Sequence, residues 1–188
     1  TIKDRNNLLV QTVKGMKDRF GIDVRVKTEV LKINPKEKTV LAKNLLTGEK
    51  YEESYDKLLL SPGAEAFIPP IPGVHSKNIY SLRNMSDMDK IKSKVDKKVK
   101  RAVVIGAGFI GLEIAENLVE RDIEVTIIEK SNQVLAPVDF EIASEVHQHI
   151  KEFKTELFLN DGAKEFIEMG DKTKVKLESG IEIIAEIG

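Results

Sequence analysis

The chain has 188 residues, enough for one substantial core or for one core with a satellite. Its 41% hydrophobic and 32% charged residues are the composition of a globular chain, and exclude a disordered or fibrous one. A balance of 30 Lys and Arg against 31 Asp and Glu leaves a formal charge of −1, so no global field gathers nucleic acid or an anionic membrane, and 0 Cys excludes disulfides, thiolate metal sites and thiol catalysis within these residues.

Absent cysteine also points to a reducing, cytoplasmic setting. No run approaches the roughly 20 apolar residues of a membrane helix, and the polar start at residues 1–5 offers no signal-peptide n-region. The reading is therefore of a cytoplasmic chain with no nucleic-acid and no membrane partner.

Apolar residues Leu8, Leu9, Val13, Met16 and Phe20 recur at helical spacing, and Gly21 stands where a helix stops, which predicts a helix over residues 8–20. Alternation through Ile22, Val24, Val26 and Val30 predicts a strand over 22–33, broken at Asn34-Pro35. Runs at 39–46 and 49–55, separated by Thr47-Gly48, extend this to an antiparallel meander. Residues 56–61, ending Leu58-Leu59-Leu60-Ser61 before Pro62-Gly63, read as a buried strand.

Pro69, Pro70, Pro72 and Gly73 make a stiff extended connector, because proline fixes φ and disfavours helix in the residue before it. A domain boundary is placed there, giving domains over 1–73 and 74–188. Ser86 or Asp87 is placed to cap a helix with Met88, Ile91, Val95 and Val99 on its apolar face. Strands over 102–105, 124–129 and 156–159 then alternate with helices over 109–121 and 140–153. That order predicts a Rossmann-like α/β fold, with a parallel sheet and right-handed βαβ crossovers. Turns at Gly170-Asp171 and Ser179-Gly180 predict a closing antiparallel meander on the sheet.

Gly106-Ala107-Gly108-Phe109-Ile110-Gly111 is a GxGxxG following a buried strand and opening an amphipathic helix, and a second strand ends at Glu129. In that context the pattern is a dinucleotide fingerprint: Gly106 for the tight turn, Gly108 for approach of the pyrophosphate, Gly111 for close packing of helix on strand. The phosphates would sit at the positive end of the helix, where its first amides are unpaired; Ile110 joins the cofactor-binding set. Glu129, eighteen positions after Gly111, stands where an acid holds ribose hydroxyls and repels a 2′-phosphate. This favours NAD(H); Lys130 beside it pulls the other way, and NADP(H) is the less favoured alternative. A degenerate Rossmann domain that binds nothing is the bland reading of the same residues.

Taken with Tyr55-Asp-Lys-Leu-Leu-Leu-Ser61-Pro62-Gly63-Ala64, Arg5-Asn-Asn-Leu-Leu-Val-Gln-Thr and Phe20-Gly-Ile-Asp-Val-Arg-Val-Lys-Thr-Glu-Val30, the fingerprint makes the chain resemble the pyridine nucleotide-disulfide oxidoreductases, in the branch of coenzyme A-disulfide reductase and NADH oxidase. The resemblance implies an NAD(P)-binding domain inserted in an FAD-binding domain, with a partial FAD-binding remnant before the Rossmann part. It implies that Val30 meets the FAD adenine through its backbone and that Ser61, Pro62 and Gly63 pass near the flavin nucleotide's phosphate-ribose portion. By the same resemblance Phe109 is the aromatic gate over the flavin and Glu113 the acid that pairs with a flavin-domain lysine. Read locally, Val30 and Ser61–Gly63 are strand and turn residues, Phe109 packs at a helix start, and Glu113 is a charge near a positive helix end.

Members of that family also carry an earlier GxGxxG for FAD, a redox-active cysteine and a dimerisation domain, so the chain resembles an internal piece of one. The implied reaction of the parent is hydride transfer from NADH to FAD and onward to a small-molecule disulfide or oxygen, in a homodimer. For the chain alone the expectation is weak or absent FAD binding and no disulfide-reductase turnover. The alternative is a non-catalytic NAD(H)-binding redox-sensing module.

No metal site is expected, since His147 and His149 point about 200° apart on a helix. Both read as rim residues. The lysine-rich run 90–101 reads as a solvated helix face.

Overall fold

A computed structural model describes residues 10–153 and 155–188. Its contacts divide the chain into two compact units, Thr1–Gly63 and Ala64–Gly188. The proline connector over 64–73 thus belongs to the second unit, where the Phe166 amide donates to the Pro72 carbonyl at 2.8 Å.

In the first unit α1 spans Val13–Phe20, with the Thr12 hydroxyl accepting the Gly15 amide at its start and Gly21 ending it. Leu8 and Leu9 of the expected helix, and residues 5–9 of the segment that resembles the family, lie outside the described residues. Strands β1 (Thr28–Asn34), β2 (Thr39–Asn44) and β3 (Lys50–Ser54) form an antiparallel meander in that order. β1 begins six residues later than the alternation predicts. Lys27, at φ 55°, turns the chain out of the extended region just before it, and pairing starts only where Thr28 meets Asn44. Between Val30 and Lys32 the register slips, so the ladder is interrupted at Leu31.

The buried strand expected over 56–61 is not formed. Leu59 is 90% exposed and Leu60 63%, and no described strand pairs with them. An apolar run becomes a buried strand only if a ladder receives its amides and another layer covers its side chains; the described residues supply neither.

The second unit is the α/β part. Helix α2 (Met85–Val95) is capped by Asn84, whose side-chain oxygen accepts the Ser86 and Asp87 amides, so the cap lies two residues before the Ser86 expected to provide it. Then come β4 (Arg101–Ile105), α3 (Phe109–Val119), β5 (Glu124–Ile128), α4 (Phe140–Glu152) and β6 (Glu156–Phe158). The three strands pair parallel in the order β4-β5-β6. Strands β7 (Ala163–Met169), β8 (Lys172–Leu177) and β9 (Glu182–Ala185) make the antiparallel meander.

Two covered faces explain why β4 and β5 read as unbroken apolar runs rather than alternating ones. Ala102, Val104, Val125 and Ile127 pack with Ala115, Leu118, Ala143 and Ile150 of α3 and α4. Val103 and Ile128 turn the other way, onto Phe166, Val175, Leu177 and Ala185 of the meander. Ile127 and Ile128 are each 1% exposed, and burying such a side chain contributes about 1.5–3 kcal/mol.

Candidate functional site

Parallel register decides where the site lies. Ile105 pairs with Ile128, and the Gly106 amide continues the ladder to the Ile128 carbonyl at 2.8 Å, so the ends of β4 and β5 emerge side by side. The chain then turns at Gly106, with φ 96°, which side chains rarely tolerate. A methyl group on Gly111 would collide with the Gly106 carbonyl, so helix and turn approach this closely only because that position is bare. Gly108, by contrast, faces open space and has ordinary extended backbone, at φ −76° and ψ −177°.

Gly108 is the N-cap of α3 and supplies no side-chain cap, and the first turn holds no acid. The first helical bond is from Leu112 to the Gly108 carbonyl, at 3.0 Å. Ahead of it the amides of the first turn have no intrahelical acceptor and lie at the positive end of the helix dipole. Phe109 and Ile110 are 60% and 59% exposed beside this opening, and Glu113, one turn along, is exposed too. A cavity of about 670 Å³ lies beside β4, and Gly106, Ile110 and Gly111 help to line it.

Glu129 follows β5 and bends back to the turn. One carboxylate oxygen accepts the Ala107 amide at 2.8 Å and the other accepts the Ser131 amide at 2.7 Å. Desolvation pushes its pKa upward, but the amides of Ser131 and Ala107, the Ser131 hydroxyl and the Lys130 amide together outweigh it and hold the carboxyl below the usual glutamate range. The group is therefore ionised, and it already accepts from backbone on both of its oxygens. Lys130 points instead to Glu178, at 3.0 Å, with both side chains in solvent.

The geometry thus brings Gly106, Gly108, Gly111 and Glu129 to one place, with Phe109, Ile110 and Glu113 on the adjoining helix. Val30, 56% exposed on β1, and the exposed Ser61, Pro62 and Gly63 belong to the first unit. His147 and His149 do diverge: His147 accepts the Val134 amide, whereas His149 lies against Glu152 and Phe153. Among the described residues no group of three His, Cys, Asp or Glu side chains could hold a metal ion, and no described helix is long and apolar enough to cross a membrane.

Sequence reasoning missed Ala107, Ser131 and the loop over 131–138. The Leu135 amide donates to the Ala107 carbonyl at 2.9 Å, so Ala107 is held through both of its peptide groups. Its place between two glycines was the available signal; nothing local marked Ser131.

The family model of pyridine nucleotide-disulphide oxidoreductases matches residues 3–187. Over 134 residues the chain is 43% identical to the coenzyme A disulfide reductase of Staphylococcus haemolyticus, covering 71% of this chain and 30% of that protein. The crystal structure of reduced CoADR-RHD from Bacillus anthracis superposes with a TM-score of 0.93 at 49% identity, over 99% of this chain and 33% of that one. The water-forming NADH oxidase from Lactobacillus brevis, bound to NADH, gives 0.88 at 26% identity, over 99% of this chain and 41% of that one. The chain spans 30% to 41% of the length of these relatives. Its match across residues 3–187 and a glycine turn closed by Glu129 place it together: the chain belongs to the pyridine nucleotide-disulphide oxidoreductases.

Proposed function

We propose that the second unit, Ala64–Gly188, is the NAD(H)-binding domain of a flavoprotein oxidoreductase and that the first, Thr1–Gly63, is part of its FAD-binding domain, the boundary expected at residue 73 moving to the start of the proline connector. The observation that carries this reading is the closed turn: an ionised Glu129 tied to Ala107, beside an uncapped helix end, with nothing in front of Gly108. A diphosphate fits that opening, because it needs donors without side chains in the way and the first-turn amides of α3 supply them. The ribose hydroxyls donate to the Glu129 carboxylate, in competition with the hydroxyl and amides that hold it, and its charge disfavours a 2′-phosphate.

When bound, the reduced nicotinamide would supply a hydride, that is two electrons and a proton together, to the flavin. What these residues contribute is position. Gly106, Gly108, Ile110 and Gly111 hold the diphosphate, and Glu129 with neighbouring Lys130 grips and selects the sugar. Phe109, exposed at the helix start, would be the aromatic residue facing the flavin, and Glu113 would pair with a flavin-domain lysine. Val30 and Ser61–Gly63 would line the flavin nucleotide, Val30 through its backbone.

In a protein that carries the whole flavin domain and a redox thiol, the electrons pass on to a small-molecule disulfide such as coenzyme A disulfide, or to oxygen, in a cytoplasmic homodimer. The chain alone holds the nucleotide and has no disulfide-reductase turnover, since it has 0 Cys. Titration with NADH, NADPH and FAD in turn tests the proposal. Saturable NADH binding, weaker NADPH binding and little flavin retention are expected; a folded chain that ignores NADH overturns it.

A further inference from the structure

The loop between β5 and α4, residues 131–138, forms one wall of the glycine turn, and it is pinned at two successive residues. Leu135 donates to the Ala107 carbonyl, and the buried Val134, 0% exposed, donates its amide to His147 Nε2 at 3.1 Å. Ala107 in turn holds Glu129. An unbroken path of hydrogen bonds and peptide groups therefore runs from His147 on α4 to the carboxylate at the mouth of the site. The Phe140 ring stands edge-on to the imidazole, with centroids 6.2 Å apart.

We propose that His147 is a positioning residue for nucleotide binding that works only in its neutral form, and that protonating it loosens the loop and weakens the site. This rests on the dinucleotide reading above. The chemistry is one of donor and acceptor count. Nε2 can accept the Val134 amide only while it carries no proton, with the ring hydrogen on Nδ1; once Nε2 is protonated, two donors face each other and the bond is lost.

The surroundings keep the neutral form dominant at neutral pH. Lys151, one turn along α4, is the charged group acting on the ring, while the loop over 131–138 and the turn over 106–108 carry no titratable side chain. Burial first, and Lys151 second, hold the imidazole below its ordinary value. No carboxylate in the loop or turn stands ready to favour the charged ring.

The test is NADH titration, by nucleotide fluorescence, of the 188-residue chain from about pH 8 to about pH 5, with the Val134 amide followed by NMR. Affinity should fall about threefold to tenfold as His147 protonates, with the Val134 resonance moving over the same interval. His147→Gln, whose side-chain oxygen accepts at every pH, should restore binding near the neutral-pH level and abolish the pH dependence. His147→Leu should bind weakly throughout, and His149→Gln should behave as the parent. Identical pH profiles for the parent and His147→Gln, or a Val134 amide indifferent to pH, would overturn the proposal. If NADH fails to bind even at about pH 8 while the Val134 amide still reports His147's titration, the latch stands and the nucleotide reading is what fails.

Discussion

The carboxylate of Glu129 and the amide of Ala107, 22 residues apart, meet at 2.8 Å across the ends of two parallel strands. That bond ties the acid of the fingerprint to its glycine turn before any ligand arrives. Because the Ser131 amide holds the other oxygen, the carboxylate is aimed by backbone on both sides and loses little side-chain freedom on meeting a hydroxyl.

Replacing this acid should therefore change both selectivity and acid stability. Glu129→Gln should weaken NADH binding by about tenfold and narrow the preference over NADPH, measured by parallel titrations. The folded pKa of Glu129 is depressed, so its stabilising effect is complete above the ordinary glutamate range and is lost as pH falls through that range and the folded value. Melting temperatures of parent and variant should converge in acid and separate toward neutrality.

Gly108 and Gly111 should give opposite phenotypes. A methyl group at Gly108 meets nothing, so Gly108→Ala should cost less than about 1 kcal/mol in denaturation while abolishing most NADH affinity. At Gly111 it meets the Gly106 carbonyl, so Gly111→Ala should cost about 1–3 kcal/mol whether or not nucleotide is present.

Asp161 organises the turn into β7. Its carboxylate accepts the Gly162 amide and both the amide and the hydroxyl of Ser179, and the Ser179 hydroxyl does most to keep its pKa low. The residue is buried, so Asp161→Ala strands several donors and should cost about 2 kcal/mol or more in urea denaturation.

Leu59 provides the complementary case. At 90% exposure it contributes no burial, and Leu59→Lys should shift the stability of this chain by no more than about 0.5 kcal/mol, by the same denaturation assay. A loss comparable to that of a core leucine would mean that residues 56–61 are packed after all.

The segments most legible in the sequence were those whose local chemistry leaves little choice. The run at 102–105 followed by three spaced glycines names a strand, a turn and a helix, because a left-handed bend and a close helix approach both require bare positions, as Gly106 and Gly111 show. The offset to Glu129 was readable because a βαβ unit has a characteristic length, so its acid falls at the neighbouring strand's end. Residues 56–61 misled for the opposite reason: hydrophobicity records what a segment could bury, and says nothing of whether a partner ladder stands beside it.

From its sequence alone this protein's α/β order, its antiparallel meanders and the glycine turn were determined, since each follows from periodicity or from the conformations a residue type permits. Only the tertiary structure decided that Glu129 reaches Ala107 and Ser131, that His147 reaches Val134, and that Leu59 stays in solvent. Such contacts depend on how strands register and where a helix lands, and a hydrogen bond is directional over a few tenths of an ångström, finer than any spacing along the chain can encode.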